Sequence, residues 1–275
     1  MLSPHQLPEL RDEVRSYWSS PIFPLQLQQA YQRGVSFRLP SPESEMPDTM
    51  SMWQRLQDRM IRMLDEAELF HVSADITAVY TEAAAHIPPL KLEPHDLPSV
   101  SGFMYFDKSL GEWDGDPDTQ DQSSSGAPVH ITAASWAPAI LPHGGHGLFF
   151  VLFSDASSTA EHLERKGQHD SAYSIRTIGR IIHHSEGYTT FGAETDPERM
   201  LQSQKVLFSA WTTLQQEKIT KSNEATIPRQ VRRRAAKSGR IVPPVRTVRL
   251  RTKNESNSPD QSSRTYTRRW IVRGH

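Results

Sequence analysis

Arg229, Arg233 and Lys237 recur at intervals of four residues, with Arg232 beside them, in the segment "PRQVRRRAAKSGR". On a helix that interval places three cations on one stripe. Guanidinium groups offer forked donors that match phosphate oxygens, so such a stripe suits a polyanion. Arg240, Arg246, Arg249 and Arg251 continue the run, and Arg268, Arg269 and Arg273 lie near the end. In "RTYTRRWIV", strand alternation puts Arg264, Tyr266, Arg268, Trp270 and Val272 on one face and Arg269 and Arg273 on the other. An aromatic ring among such cations can stack on an unpaired base. Packing in a small local core is the plainer role for Trp270.

The charge of the whole chain hides this end. The 275 residues carry a formal net charge of -1. From Ala225 to His275, however, 14 Lys and Arg face only Glu255 and Asp260, a surplus of +12 against −13 for the remainder. Segregation of that size admits three explanations: a polyanion contacted by the tail, an acidic surface of the same chain or of a protein partner, or a solvated arginine-rich face.

Other chemistry is thinly signalled. His183 and His184 in "IIHHSEG" would supply an acid or base for metal-independent RNA cleavage if arginines stood close by. Neighbouring strand residues point to opposite faces, so only one of the two could serve. Asp114, Asp116, Asp118 and Asp121 fall in one polar loop, but Thr119 and Ser125 occupy the places where a calcium loop needs glycine and glutamate. His143 and His146 in "PHGGHG" are two imidazoles with no further ligand signalled nearby. No metal, cofactor or catalytic residue is assigned. The chain lacks G-x-S-x-G, GxxxxGK[ST] and GxGxxG patterns. Its zero cysteines exclude disulfides, thiolate metal sites and cysteine nucleophiles.

The elements that must position these residues follow from periodicity. The first ninety or so residues read as helices, the clearest being "SMWQRLQDRMIRMLDEAELF", where Trp53, Leu56, Met60, Met63 and Leu64 mark one apolar face. "FPLQLQQAYQRG" and "SADITAVYTEAAAHI" are two more, and "VSFRLP" is a short edge strand at best. The middle then turns to short aromatic and β-branched runs, "SGFMYFD", "PVHITAASWAPAI", "GLFFVLFSDA", "AYSIRTIGRII" and "GYTTFGA", separated by turn residues. "WDGDPDTQDQSSSGAP" reads as a long polar hairpin loop. "TDPERMLQSQKVLFSAWTTLQQEK" is a strong helix opened by Asp196 and Pro197, and "TKSNEAT" reads as a linker. "VRTVRLRT" and "RTYTRRWIV" are strands of a hairpin beside the basic helix.

The fold class is therefore α+β: a helical N-terminal layer, a central antiparallel sheet with a covering helix, and a small basic helix-plus-hairpin C-terminal module. The domain reading is a core over 1–222, helical to 90, sheet-rich over 100–195 and helical over 197–218, followed by a module over 228–275. "GLFFVLF" is too short to span a bilayer and "MLSPHQLPELRDEVRSYW" has no apolar core of the signal-peptide kind, so a soluble cytoplasmic protein without a membrane partner is expected.

The tail "PRQVRRRAAKSGRIVPPVRTVRLR" with "YTRRWIVRGH", and the block "LPSVSGFMYFD", "ITAASWAP" and "GLFFVLFSD", resemble a family of uncharacterised proteins from actinobacteria and their phages or plasmids. The resemblance covers the last two-thirds of the chain. It implies a mobile-element context and no activity, and relatives of that kind are expected to continue beyond Gly274-His275. Together these readings lead with a non-enzymatic protein that binds DNA or RNA through the basic module. The alternatives are a basic tail docked on an acidic protein and a toxin-like ribonuclease.

Overall fold

The computed structural model describes residues 2–32, 50–113, 129–141, 145–216, 218–237 and 242–251. Three amphipathic helices open the chain: α1 (Leu7–Trp18), α2 (Phe23–Gln32) and α3 (Met50–Asp65). The chain then enters the sheet with β1 (Glu68–Val72), rises through α4 (Ala74–Ala84) and returns as β2 (Gly102–Phe106). β3 (Glu112–Trp113), β4 (Val129–Ile140) and β5 (His146–Asp155) follow, then the helical pair α5 (Ala156–Arg165) and α6 (His169–Ile178), and β6 (Ile181–Thr190). The last elements are α7 (Gln202–Leu214), β7 (Thr220–Glu224), α8 (Arg229–Lys237) and β8 (Val245–Leu250).

One sheet unites all eight strands in the order β6-β5-β4-β2-β1-β8-β7, with β3 paired to β4. Its two faces carry separate cores. Phe70, Val72, Trp136, Phe150 and Val248 pack against Ile76 and Tyr80 of α4 and Leu207 and Trp211 of α7. Leu69, Phe103, Phe149, Phe153 and Val245 pack against Leu10 and Trp18 of α1 and Trp53, Met60 and Leu64 of α3. β5 serves both faces, which is why "GLFFVLF" is apolar at every position after its glycine.

The α+β class stands, with a helical N-terminal layer and α7 covering the sheet. The sheet itself is mixed: β1 runs parallel to both β2 and β8, and the other pairs are antiparallel. The β1–α4–β2 crossover makes the first of these pairs and could not arise from a hairpin. The sequence reading differs from the structure elsewhere too. The helix over "SMWQRLQDRMIRMLDEAELF" stops at Asp65 and its last residues begin β1. "AYSIRTIGRII" splits into the end of α6 and the start of β6, because Ala172 turns inward while Tyr173 stays 72% exposed. "TKSNEAT" contains β7, which among the described residues is an edge strand paired with β8 alone. Pro197–Arg199 form a separate 3-10 turn capped by Asp196, ahead of α7.

The largest departure concerns the C-terminal part. β8, expected inside a detached module, lies between β1 and β7 with its Val245 and Val248 fully buried. The strand thus belongs to the main sheet, and α8 is carried on the connection between the neighbouring strands β7 and β8. "VSFRLP", the acidic polar loop and "RTYTRRWIV" lie outside the described residues, as does His143.

Candidate nucleic-acid interface

Glu224 of β7 and Arg246 of β8 stand opposite each other, and Ala225 N–H donates to Val245 C=O over 2.7 Å, closing the ladder beside them. Residues 226–244 must therefore leave the sheet edge and come back to it. Pro228 starts the helix on the way out: its C=O accepts from the N–H groups of Val231 at 3.0 Å and Arg232 at 3.2 Å. Arg, Gln, Ala and Lys are good helix formers, so the segment needs little packing to hold its shape. It receives little. Arg229, Gln230, Arg232, Arg233, Ala236 and Lys237 are exposed, and Val231 is half-buried.

Arg229, Arg233 and Lys237 form an outward stripe with Arg232 next to it, as their spacing predicted. Like charges four apart oppose the helix by about 0.2–0.5 kcal/mol per pair. Arginines elsewhere in the fold are paired: Arg180 with Glu13 at 2.9 Å, Arg11 with Asp12 at 2.7 Å, and Arg176 with Glu164. Among the described residues, no ion pair is formed by Arg229, Arg232, Arg233, Lys237, Arg249 or Arg251, of which all six are exposed. Arg246 differs. Its Nη2 lies 2.9 Å from Glu68 Oε2 and its guanidinium covers the Phe70 ring, 5.8 Å from the centroid. Arg246 thus serves the β1–β8 pairing and is set apart from the α8 cations. Arg240, Arg268, Arg269 and Arg273 lie outside the described residues.

The histidines fall far from this stripe. His183 and His184 sit on β6, five strands from β8 in the sheet. At about 4.8 Å per strand that is roughly 24 Å. His183 meets the edge of Trp18 with ring centroids 6.2 Å apart. Burial, aided by His183, pushes His184 down to about 4, so it is uncharged at neutral pH. Among the described residues, the two rings are therefore not brought to Arg249, Arg251 or the α8 stripe. Nor do three His, Asp or Glu gather as a metal site among the described residues.

Two features had no clear sequence signal. His71, nearly buried, places Nε2 2.7 Å from Leu2 C=O and 3.3 Å from Asp107 Oδ1. Burial holds the Asp107 carboxyl above its usual range, and His71 opposes that shift. The pair ties the start of the chain to the ends of β1 and β2. The second feature is a cleft of about 350 Å³ lined by Pro4, His5, Asn223, Thr226, Thr247 and Arg249, with Glu224 and Ala225 completing it. Residues from the start of the chain and from β7 and β8 meet there, and sequence distance conceals such a meeting.

No family model, curated protein or solved structure matches the chain. Among the described residues, no helix is long and apolar enough to cross a membrane.

Proposed function

We propose that the protein is a non-enzymatic nucleic-acid-binding accessory protein that grips the sugar-phosphate backbone of DNA or RNA through α8 and the adjoining Arg249 and Arg251. The observation that carries this reading is the exposed stripe Arg229, Arg233 and Lys237 with Arg232, which forms no ion pair among the described residues. Stripe geometry without base-reading groups favours backbone contact over sequence readout. The phage or plasmid setting rests on the resemblance of the tail and middle blocks, and a cytoplasmic setting accords with the absence of cysteine.

Deleting 228–275 would be a poor test, because it removes β8 from between β1 and β7. Replacing Arg229, Arg232, Arg233 and Lys237 together by Gln keeps helix propensity and removes only charge. Gel retardation of single- and double-stranded DNA and of RNA at low salt is expected for the wild type and lost in the fourfold variant. Retardation by neither protein ends the proposal. Capture of one acidic protein that the variant fails to hold, with no retardation, would transfer the stripe to a protein partner.

A further inference from the structure

The cleft beside α8 has the donors of an anion site. By strand alternation Val245, Thr247 and Arg249 share one face of β8, the face whose Val245 packs under α1 and α3. Helical cover on that face ends at the 3-10 turn Pro4–Gln6, which leaves His5 exposed at the rim. Thr247 Oγ1 donates to Asn223 C=O across the strands at 3.0 Å, fixing the floor. Above it, the side chains of Arg249, Asn223 and Thr226 have no hydrogen-bond partner among the described residues. Among the described residues His5 meets Ser3 Oγ alone, at 3.1 Å. A guanidinium, an amide and a hydroxyl without partners among the described residues thus line one space, with an imidazole at its rim.

We infer that this cleft is a phosphate subsite, holding one phosphate and its sugar of the strand that α8 engages. Its volume of about 350 Å³ falls at the small end of ligand pockets and suits a group of that size. Thr226 in its wall precedes the first α8 residue, Arg229, by three positions, so the two sites lie within roughly 10 Å along the chain. At about 3.4 Å rise per nucleotide, a strand seated in the cleft reaches the stripe within some three nucleotides. Glu224 completes the lining, but it stands opposite Arg246, so strand alternation turns its carboxylate to the face away from Thr247 and Arg249. The inference takes the identity of its ligand from the proposed function, but its first test does not.

That first test uses inorganic phosphate and the full-length chain. The ring protons of His5, identified in ¹H NMR by their loss in His5→Ala, should shift saturably with phosphate. The shift should vanish in Arg249→Ala and Arg249→Gln. Absence of a saturable shift in the wild type overturns the subsite, whatever oligonucleotides do. The second test compares single strands of one sequence with a 5′-phosphate or a 5′-hydroxyl by fluorescence anisotropy. Tighter binding of the phosphorylated strand, about fivefold or more, assigns the cleft to a terminal phosphate. Equal binding that Arg249→Gln weakens about tenfold assigns it to an internal phosphodiester. Binding unchanged by Arg249→Gln overturns the subsite and leaves α8 standing. Phosphate binding by a wild type that binds no strand retains the subsite and ends the nucleic-acid reading.

Discussion

Arg246 reaches across from β8 to Glu68 on β1, with 2.9 Å between Nη2 and Oε2, while its guanidinium lies over Phe70. One arginine of the basic run is thereby used by the fold, and the contrast with the unpaired α8 stripe separates structural from ligand-facing charge. Both partners are about half exposed, at 50% and 47%, so the ion pair contributes about 1 kcal/mol or less. Arg246→Ala should therefore cost about 1 kcal/mol in denaturant unfolding and leave nucleic-acid affinity within about twofold. A large affinity loss with stability intact would return Arg246 to the interface.

Gly102 tests the core on the α7 side of the sheet. A Cβ there would stand 2.1 Å from Cζ2 of Trp136. That indole cannot retreat easily, since it stacks on Phe70 at 5.9 Å, meets Trp211 at 5.3 Å and donates to Ser99 C=O at 3.1 Å. Gly102→Ala should destabilise the fold by about 1–3 kcal/mol or more. Thermal unfolding at an unchanged midpoint would mean that the ring has room that the packing denies.

His184 gives the fold a specific acid response. Burial pushes its pKa down to about 4, below the ~6.5 of a free imidazole. The unfolded chain takes up this proton at a higher pH than the folded chain does. Stability tied to the neutral ring is thus complete above about pH 6.5 and lost as pH falls from there towards 4. The full loss is about 3 kcal/mol. Urea unfolding of wild type and His184→Gln should converge across that window, the wild type losing more. Parallel curves would place the titration elsewhere.

The sequence reveals the apolar stripes of α2, α3, α4 and α7, the runs of β2, β4 and β5, and the cationic stripe of α8, because each pattern is local. It does not disclose which strands are neighbours. β7, "TKSNE", has no apolar alternation since an edge strand with exposed faces needs none, and its pairing with β8 is a tertiary fact. α5 carried signals that can be recognised: Asp155 caps it by accepting from Ser158 N–H at 2.9 Å, and Gly167 with φ +74 follows its end. The cleft was invisible for another reason, since His5 and Arg249 come from opposite ends of the chain.

The salt dependence of binding tests the central claim most directly. Each phosphate neutralised on a single strand adds about −0.7 to the slope of log K against log salt, so the four α8 cations should supply about −3. Replacing Arg229, Arg232, Arg233 and Lys237 by Gln should flatten the slope by that amount while the thermal midpoint holds or rises slightly. Equal slopes for the two proteins, or no binding by the wild type at low salt, would contradict the account.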